Sequence, residues 1–452
     1  MARWGAAAGI TAAVGLVACG SAGHEQSVSA RSAGASAVVQ MGVPHQGDLL
    51  VRGGVPARLR AASAGRVTVR ARLRLDSGSE LALGPAQEVA LPADRSRRVL
   101  LPLGHPGRRA LASCQPGHVV VSAGDSHQTK RLRLDPPGCA TFFKRDTFWN
   151  RPIAPTTPLD PDSAAVTEEL LRQVQYGMRR GPKPTINTSV SAPPVLTVGA
   201  NQPLVRVRLD RPSGYAPELQ RALAAVPLPA GARPAPGTDS ELVLWQPSTD
   251  TLWEFWLLRR AADGWHAKWG GRMRNVSRGP GLFTASHEAW GESASGLPLP
   301  GGMITPRDLR SGSIDHALGL GIPRTRAGWF SRPARRTDGA TNCRHAVPEG
   351  ARFRLDPTLD VASLGLPRPV AAMARAAQRY GIFVRDRAGA VAFYAQNTNS
   401  LAADPYPLLF EGQTPQALVA RFPWSRLQLM RMDLVRQKGT FPTPRALLPS
   451  CL

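Results

Sequence analysis

Apolar and polar residues alternate with a period of two through the first third of the chain, most cleanly in GRVTVRARLRL. There Val67, Val69, Ala71, Leu73 and Leu75 fall on one face, and Thr68, Arg70, Arg72 and Arg74 on the other. Successive strand side chains point to opposite faces, so this stretch predicts a strand with one face in a core. RRVLLPL, GHVVVSAG and TKRLRLD repeat the pattern between Gly, Pro, Asp and Ser turns, and PPGCA (136–140) closes the series. Short strands at this spacing predict an Ig-like β-sandwich over residues 38–138.

Beyond residue 140 the period changes. SAAVTEELLRQVQY (163–176) predicts a helix, with Ser163 as its cap and Gly177 after its last turn. Strands are expected at PLVRVRLD and SELVLWQP. TLWEFWLLRR-AADG-WHAKWGG reads as a hairpin turning at Asp263-Gly264, which sets Trp269 opposite Leu258 on the Glu254 side. Thr305-Pro306-Arg307-Asp308 opens a second helix, because Thr caps, Pro suits the first helical position and Asp the third. A third helix spans 369–380, and IFVRD-RAG-AVAFYA is expected to form a further hairpin. Many strands with few helices predict a mainly β protein. Its second domain, residues 140–452, is expected to be a larger β-sandwich or jelly-roll-like module with a few helices.

Charge and cysteine usage then narrow the setting. The net charge of +24 comes from arginine, since Lys130, Lys144, Lys183, Lys268 and Lys438 are the only lysines. The arginines are scattered among strands, with no recognition helix, RNA-binding motif or zinc-finger spacing. Nucleic acid is therefore not an expected partner, whereas an anionic cell-envelope polymer is. The opening MARWGAAAGITAAVGLVACGS has one early Arg3, then an apolar run from Ala6 to Val17 with the proportions of a secretory signal. Leu16-Val17-Ala18-Cys19 resembles the lipobox of bacterial lipoproteins. That resemblance implies a signal peptide over residues 1–19, a lipidated Cys19, and a chain anchored to the outer face of the cell membrane. Residues 20–37 read as a flexible tether. In an oxidising compartment the other four cysteines allow three pairings, of which Cys114–Cys139 and Cys343–Cys451 are favoured. No two cysteines have metal-ligand spacing and DPDS (160–163) falls short of a calcium loop, so no metal is expected. No phosphate loop or GxGxxG marks a cofactor.

Candidate chemistry gathers around tryptophan. Trp245, Trp253, Trp256, Trp265, Trp269 and Trp290 fall within residues 245–290. Flat apolar rings with one polar handle suit sugars, which makes Trp256, Trp269 and Trp290 the expected binding platform; any single one is more often a core residue. Glu254, set among these rings, is the expected general acid, because desolvation raises a carboxyl pKa. A two-carboxylate glycosidase needs a partner, and Asp239, Glu288, Glu292 and Asp315 are the candidates. In GSIDHALGLGIP, Asp315 and His316 are adjacent and diverge in either a strand or a helix, so they do not form a relay. His316 remains as a lone base or a core residue. A lyase would draw on His316, Tyr380, Arg272 and Asn187. The expected catalytic set is thus Glu254, His316, Asp315, Arg272 and Tyr380. No GxSxG supports serine chemistry.

Five phrases carry a further resemblance: WQPSTDTLWEFW, DGWHAKWGGRM, SGLPLPGGMITPRDLRSGSIDHAL, VPEGARFRLDP and YGIFVRDRAGAVAFYA. Over residues 147–425 the chain resembles an uncharacterised group of secreted proteins from high-GC Gram-positive bacteria. The resemblance implies secretion and no particular chemistry. Together these readings point to a cell-surface lipoprotein that acts on a polysaccharide as a hydrolase or lyase, the alternative being a non-catalytic glycan-binding protein.

Overall fold

The structure is a computed structural model that describes residues 37–212, 214–283, 285–287 and 289–438. Cys19, the tether up to residue 36, Glu288 and Cys451 lie outside the described residues. The protein is mainly β, with 32% strand against 21% helix.

Residues 37–132 build one aliphatic core. A three-stranded sheet (Ala37–Gln40, Gly54–Ala61, Ser96–Pro102) and a five-stranded sheet centred on Gly65–Leu75 both contribute to it. Gly65–Leu75 pairs with Glu80–Ala82, Gln87–Leu91 and Gly117–Ala123. Val67, Val69, Ala71 and Leu73 are buried while Arg70, Arg72 and Arg74 are exposed. Full burial of a side chain such as Leu73 stabilises by roughly 1.5–3 kcal/mol. A disulfide joins Cys114 to Cys139, with Cα atoms 5.1 Å apart. Cys343 is also disulfide-bonded, and the Cys451 expected as its partner lies outside the described residues.

From Phe142 onward two further cores form. One surrounds a six-stranded sheet in the order Leu427–Leu429, Arg352–Leu355, Ile382–Arg387, Leu318–Ile322, Ala392–Tyr394, Thr185–Asn187. The apolar stripes of the helices Ser163–Arg179 and Arg368–Arg379 belong to the same core through Leu170, Val174, Val370 and Met373. The second surrounds the four-stranded sheet Val195–Thr197, Leu242–Gln246, Thr251–Trp256, Trp269–Arg274. Among the described residues five strand pairs are parallel. Alternation alone carries no sign of strand direction, so this feature was not legible in the sequence.

Four local expectations are corrected. Ile382–Arg387 and Ala392–Tyr394 do not form a hairpin, because Leu318–Ile322 lies between them, parallel to the first and antiparallel to the second. That inserted strand, LGLGI, is buried along its whole length, the pattern of a central strand covered on both faces. The Trp hairpin turns one residue earlier than expected, at Ala262-Asp263 between paired Ala261 and Gly264. A one-residue shift of the turn moves the register by two, so Trp269 faces Trp256 rather than Leu258. The helix at 163 starts from Asp162, leaving the Ser163 hydroxyl to accept from the Leu429 amide at 2.9 Å. Finally, Asp315 and His316 lie in the segment before the strand Leu318–Ile322, not within a strand. The capping box expected at Thr305 is present, with Asp308 returning the bond to the Thr305 amide at 2.8 Å.

Candidate functional site

The parallel pair Leu318–Ile322 and Ile382–Arg387 ends at a cavity of about 630 Å³. Open sheets characteristically present ligand crevices beyond the carboxyl ends of their strands. The register explains what the strand presents there. Leu320 faces Val384 and Gly321 faces Asp386, so Arg385 is an extra, bulged residue. A bulge re-aims side chains, and here both Arg385 and Asp386 line the cavity. Gly321 makes room for the wall, since a Cβ there would lie 2.3 Å from the Tyr394 hydroxyl. Tyr394 lines the cavity too, its ring 3.7 Å from the Arg385 guanidinium carbon.

Carboxyls from two more segments complete the wall. Asp239 and Glu241 flank Ser240, whose backbone is left-handed (φ 40°), just before the strand Leu242–Gln246, and both line the cavity. Asp239 is half-buried and accepts from the Trp256 indole at 3.2 Å. Glu241 is buried, and its Oε2 has no hydrogen-bond partner. Burial, then the charge of Asp239, pushes the Glu241 carboxyl up to about 7. Glu292 comes from the loop 291–299, and burial together with Asp386, Glu241 and Asp239 raises it well above the usual range. Asp386 is pushed up to about 7, chiefly by burial and then by Asp338. Asn187 closes another side, its amide donating to Ser191 O at 3.1 Å.

The expected catalytic residues do not converge here. Glu254 is fully buried and does not line this cavity. Its carboxylate accepts from the Glu292 amide at 3.1 Å and the Leu299 amide at 2.9 Å. Burial raises its pKa to about 7, as expected, against the pull of those two amides. The groove-floor acid is therefore corrected to a clamp that ties both ends of the loop carrying Glu292. His316 is buried 3.4 Å from Asp308 Oδ2 and hydrogen-bonded to Ala317 O, beside a separate void of about 20 Å³. Its pKa is raised: burial opposes the proton, but Asp308 outweighs it. Asp315 is exposed and accepts from Ser313 at 2.8 Å, so the carboxylate that faces His316 is Asp308. Tyr380 closes the helix Arg368–Arg379 and packs in the core, and Arg272 reaches Ala222 O. Neither lines the acid cavity.

The tryptophans divide in the same way. Trp245, Trp253, Trp265 and Trp290 are core residues, which corrects Trp290 as a binding residue. Trp256 and Trp269 are half-buried. Trp269 meets the exposed Tyr215 ring edge-on at 6.1 Å, with Arg211 over both rings. Sequence reasoning thus reached Asp239, Glu292, Asn187 and Trp256 but missed Glu241, Arg385, Asp386 and Tyr394. An Arg-Asp pair ending the apolar run IFV was the available signal. Comparison of the chain with protein-family models, with curated proteins and with solved structures finds no match.

Proposed function

We propose that this chain is a polysaccharide hydrolase, held at the outer face of the cell membrane by lipidated Cys19. One observation carries the enzymatic reading: Asp239 and Glu241 face one cavity from two different environments, one half-exposed and hydrogen-bonded, the other buried with an unpartnered oxygen. Two carboxyls placed so differently suit an acid and a base. Glu241, kept protonated near neutral pH by burial, gives its proton to the glycosidic oxygen. Asp239 takes a proton from the attacking water, and Glu292 lines the same cavity. With Glu241 as acid and Asp239 as base on one wall, the cavity suits hydrolysis, which sets the hydrolase above the lyase.

The test uses the full chain with a panel of neutral, amino-sugar and uronate polysaccharides, reading released fragments by mass spectrometry. Glu241→Gln is expected to lower the rate by about 10²–10⁴. A second reading, a non-catalytic glycan-binding protein, rests on the Tyr215–Trp269–Arg211 surface. Binding without any fragment release, lost in Trp269→Ala, would select it.

A further inference from the structure

A second carboxyl cluster adjoins the cavity, sharing Asp386 with it and drawing Asp338 and Glu349 from other segments. Asp338, Glu349 and Asp386 each offer an oxygen, all within 4.8 Å of one another. Glu349 ends the strand Val347–Glu349 and is fully buried, and neither of its oxygens receives a well-formed hydrogen bond, with Thr337 and Asp338 alongside. Gly350 holds it there: its φ is +82°, and a Cβ would lie 1.8 Å from Ser331 O, so only glycine lets the chain turn at that point. Asp338 engages Arg387 through Oδ2 at 3.2 Å, while its buried Oδ1 has no partner. Asp386 takes the Ala294 and Arg387 amides on Oδ1 alone. Each residue therefore offers an oxygen to one close cluster. Buried polar atoms are rarely left unmatched, and three carboxylates this close repel one another unless a proton or a cation stands between them.

We infer that Asp338, Glu349 and Asp386 bind one hard divalent cation, with Ca²⁺ the best fit. Mg²⁺ usually keeps several waters and takes one or two carboxylates, whereas Ca²⁺ accepts more protein oxygens, so three carboxyls within 4.8 Å of one another suit Ca²⁺. The site stands on its own geometry and does not depend on the hydrolase reading.

The full chain, stripped with chelator and dialysed, is titrated calorimetrically with CaCl₂ and then MgCl₂. One Ca²⁺ per chain is expected, bound more tightly than Mg²⁺, with a melting temperature that rises with calcium concentration. Glu349→Gln and Asp338→Asn are each expected to weaken binding about tenfold or more, while the exposed Asp315→Asn binds like the wild type. Should Glu349→Gln not fold, Asp338→Asn decides alone. Absence of calcium uptake by the wild type overturns the site, as does undiminished binding in the folded variants. A metal-independent rise in the melting temperature of Glu349→Gln, with no uptake by the wild type, would mean that the three carboxyls share protons instead.

Discussion

The sandwich of residues 38–138 and the acid-lined end of the larger domain bury very different materials. The sandwich contains no Trp, Tyr or Phe, and its core is Val, Leu and Ala. Among the described residues its buried polar side chains are Gln46, Asp48 and Asp135. The larger domain buries Glu241, Glu254, Glu349, Arg336 and Arg385, with Asp239, Glu292 and Asp386 half-exposed beside them. Burying charge costs several kcal/mol per ion unless it is matched. A fold that needed only stability would be built like the sandwich. Convergence of carboxyls from three segments on one cavity is instead what chemistry or ligand binding requires.

This contrast can be broken by mutation, and tryptophan makes the measurement selective, because residues 38–138 carry none. The largest stability effect is expected for Glu254→Ala, which strands two buried amides. Denaturation followed by tryptophan fluorescence should show a loss of about 4 kcal/mol. A loss below about 1 kcal/mol would mean that Glu254 does not clamp the 291–299 loop.

Replacing both Cys114 and Cys139 by serine opens the bridge across 25 residues and should cost about 3 kcal/mol. Far-ultraviolet circular dichroism should register that loss while the tryptophan transition stays in place. If the two signals shift together, the domains unfold as one and the contrast is not energetic.

The pH dependence comes next. Glu241 rises from its ordinary 4.5 to about 7 on folding, so between these values the folded chain binds the extra proton. Its contribution is present below about pH 4.5, declines as pH rises through 7, and is absent above. Glu241→Gln should therefore flatten the fall in stability across that window by about 2 kcal/mol. It should also remove the alkaline limb of kcat/KM. An unchanged slope would remove Glu241 as the proton-holding group. The smallest effect is expected for Asp315→Asn, whose exposed carboxylate accepts only from Ser313: stability within about 0.5 kcal/mol of wild type and activity unaltered.

What was legible follows from how local each signal is. Val67 to Leu73 announced their burial because alternation is written into adjacent residues. Thr305 and Asp308 announced a capping box for the same reason. Glu254 was correctly expected to have a raised pKa. What failed was its access to a cavity, which depends on the loop 291–299 folding over it. Asp239 and Glu292 could be listed as acids but not chosen, because nothing in either segment names the other.

By itself, then, the sequence determined the mainly β character, the aliphatic sandwich and the supply of acids and tryptophans. Each of these depends on residue type and spacing within one segment. Only the tertiary structure decided that Leu318–Ile322 slips between two strands expected to pair, that a bulge turns Arg385 and Asp386 into one cavity, and that Asp338, Glu349 and Asp386 meet. Those outcomes turn on strand order and on contacts between distant segments, and a one-dimensional pattern carries no term for either.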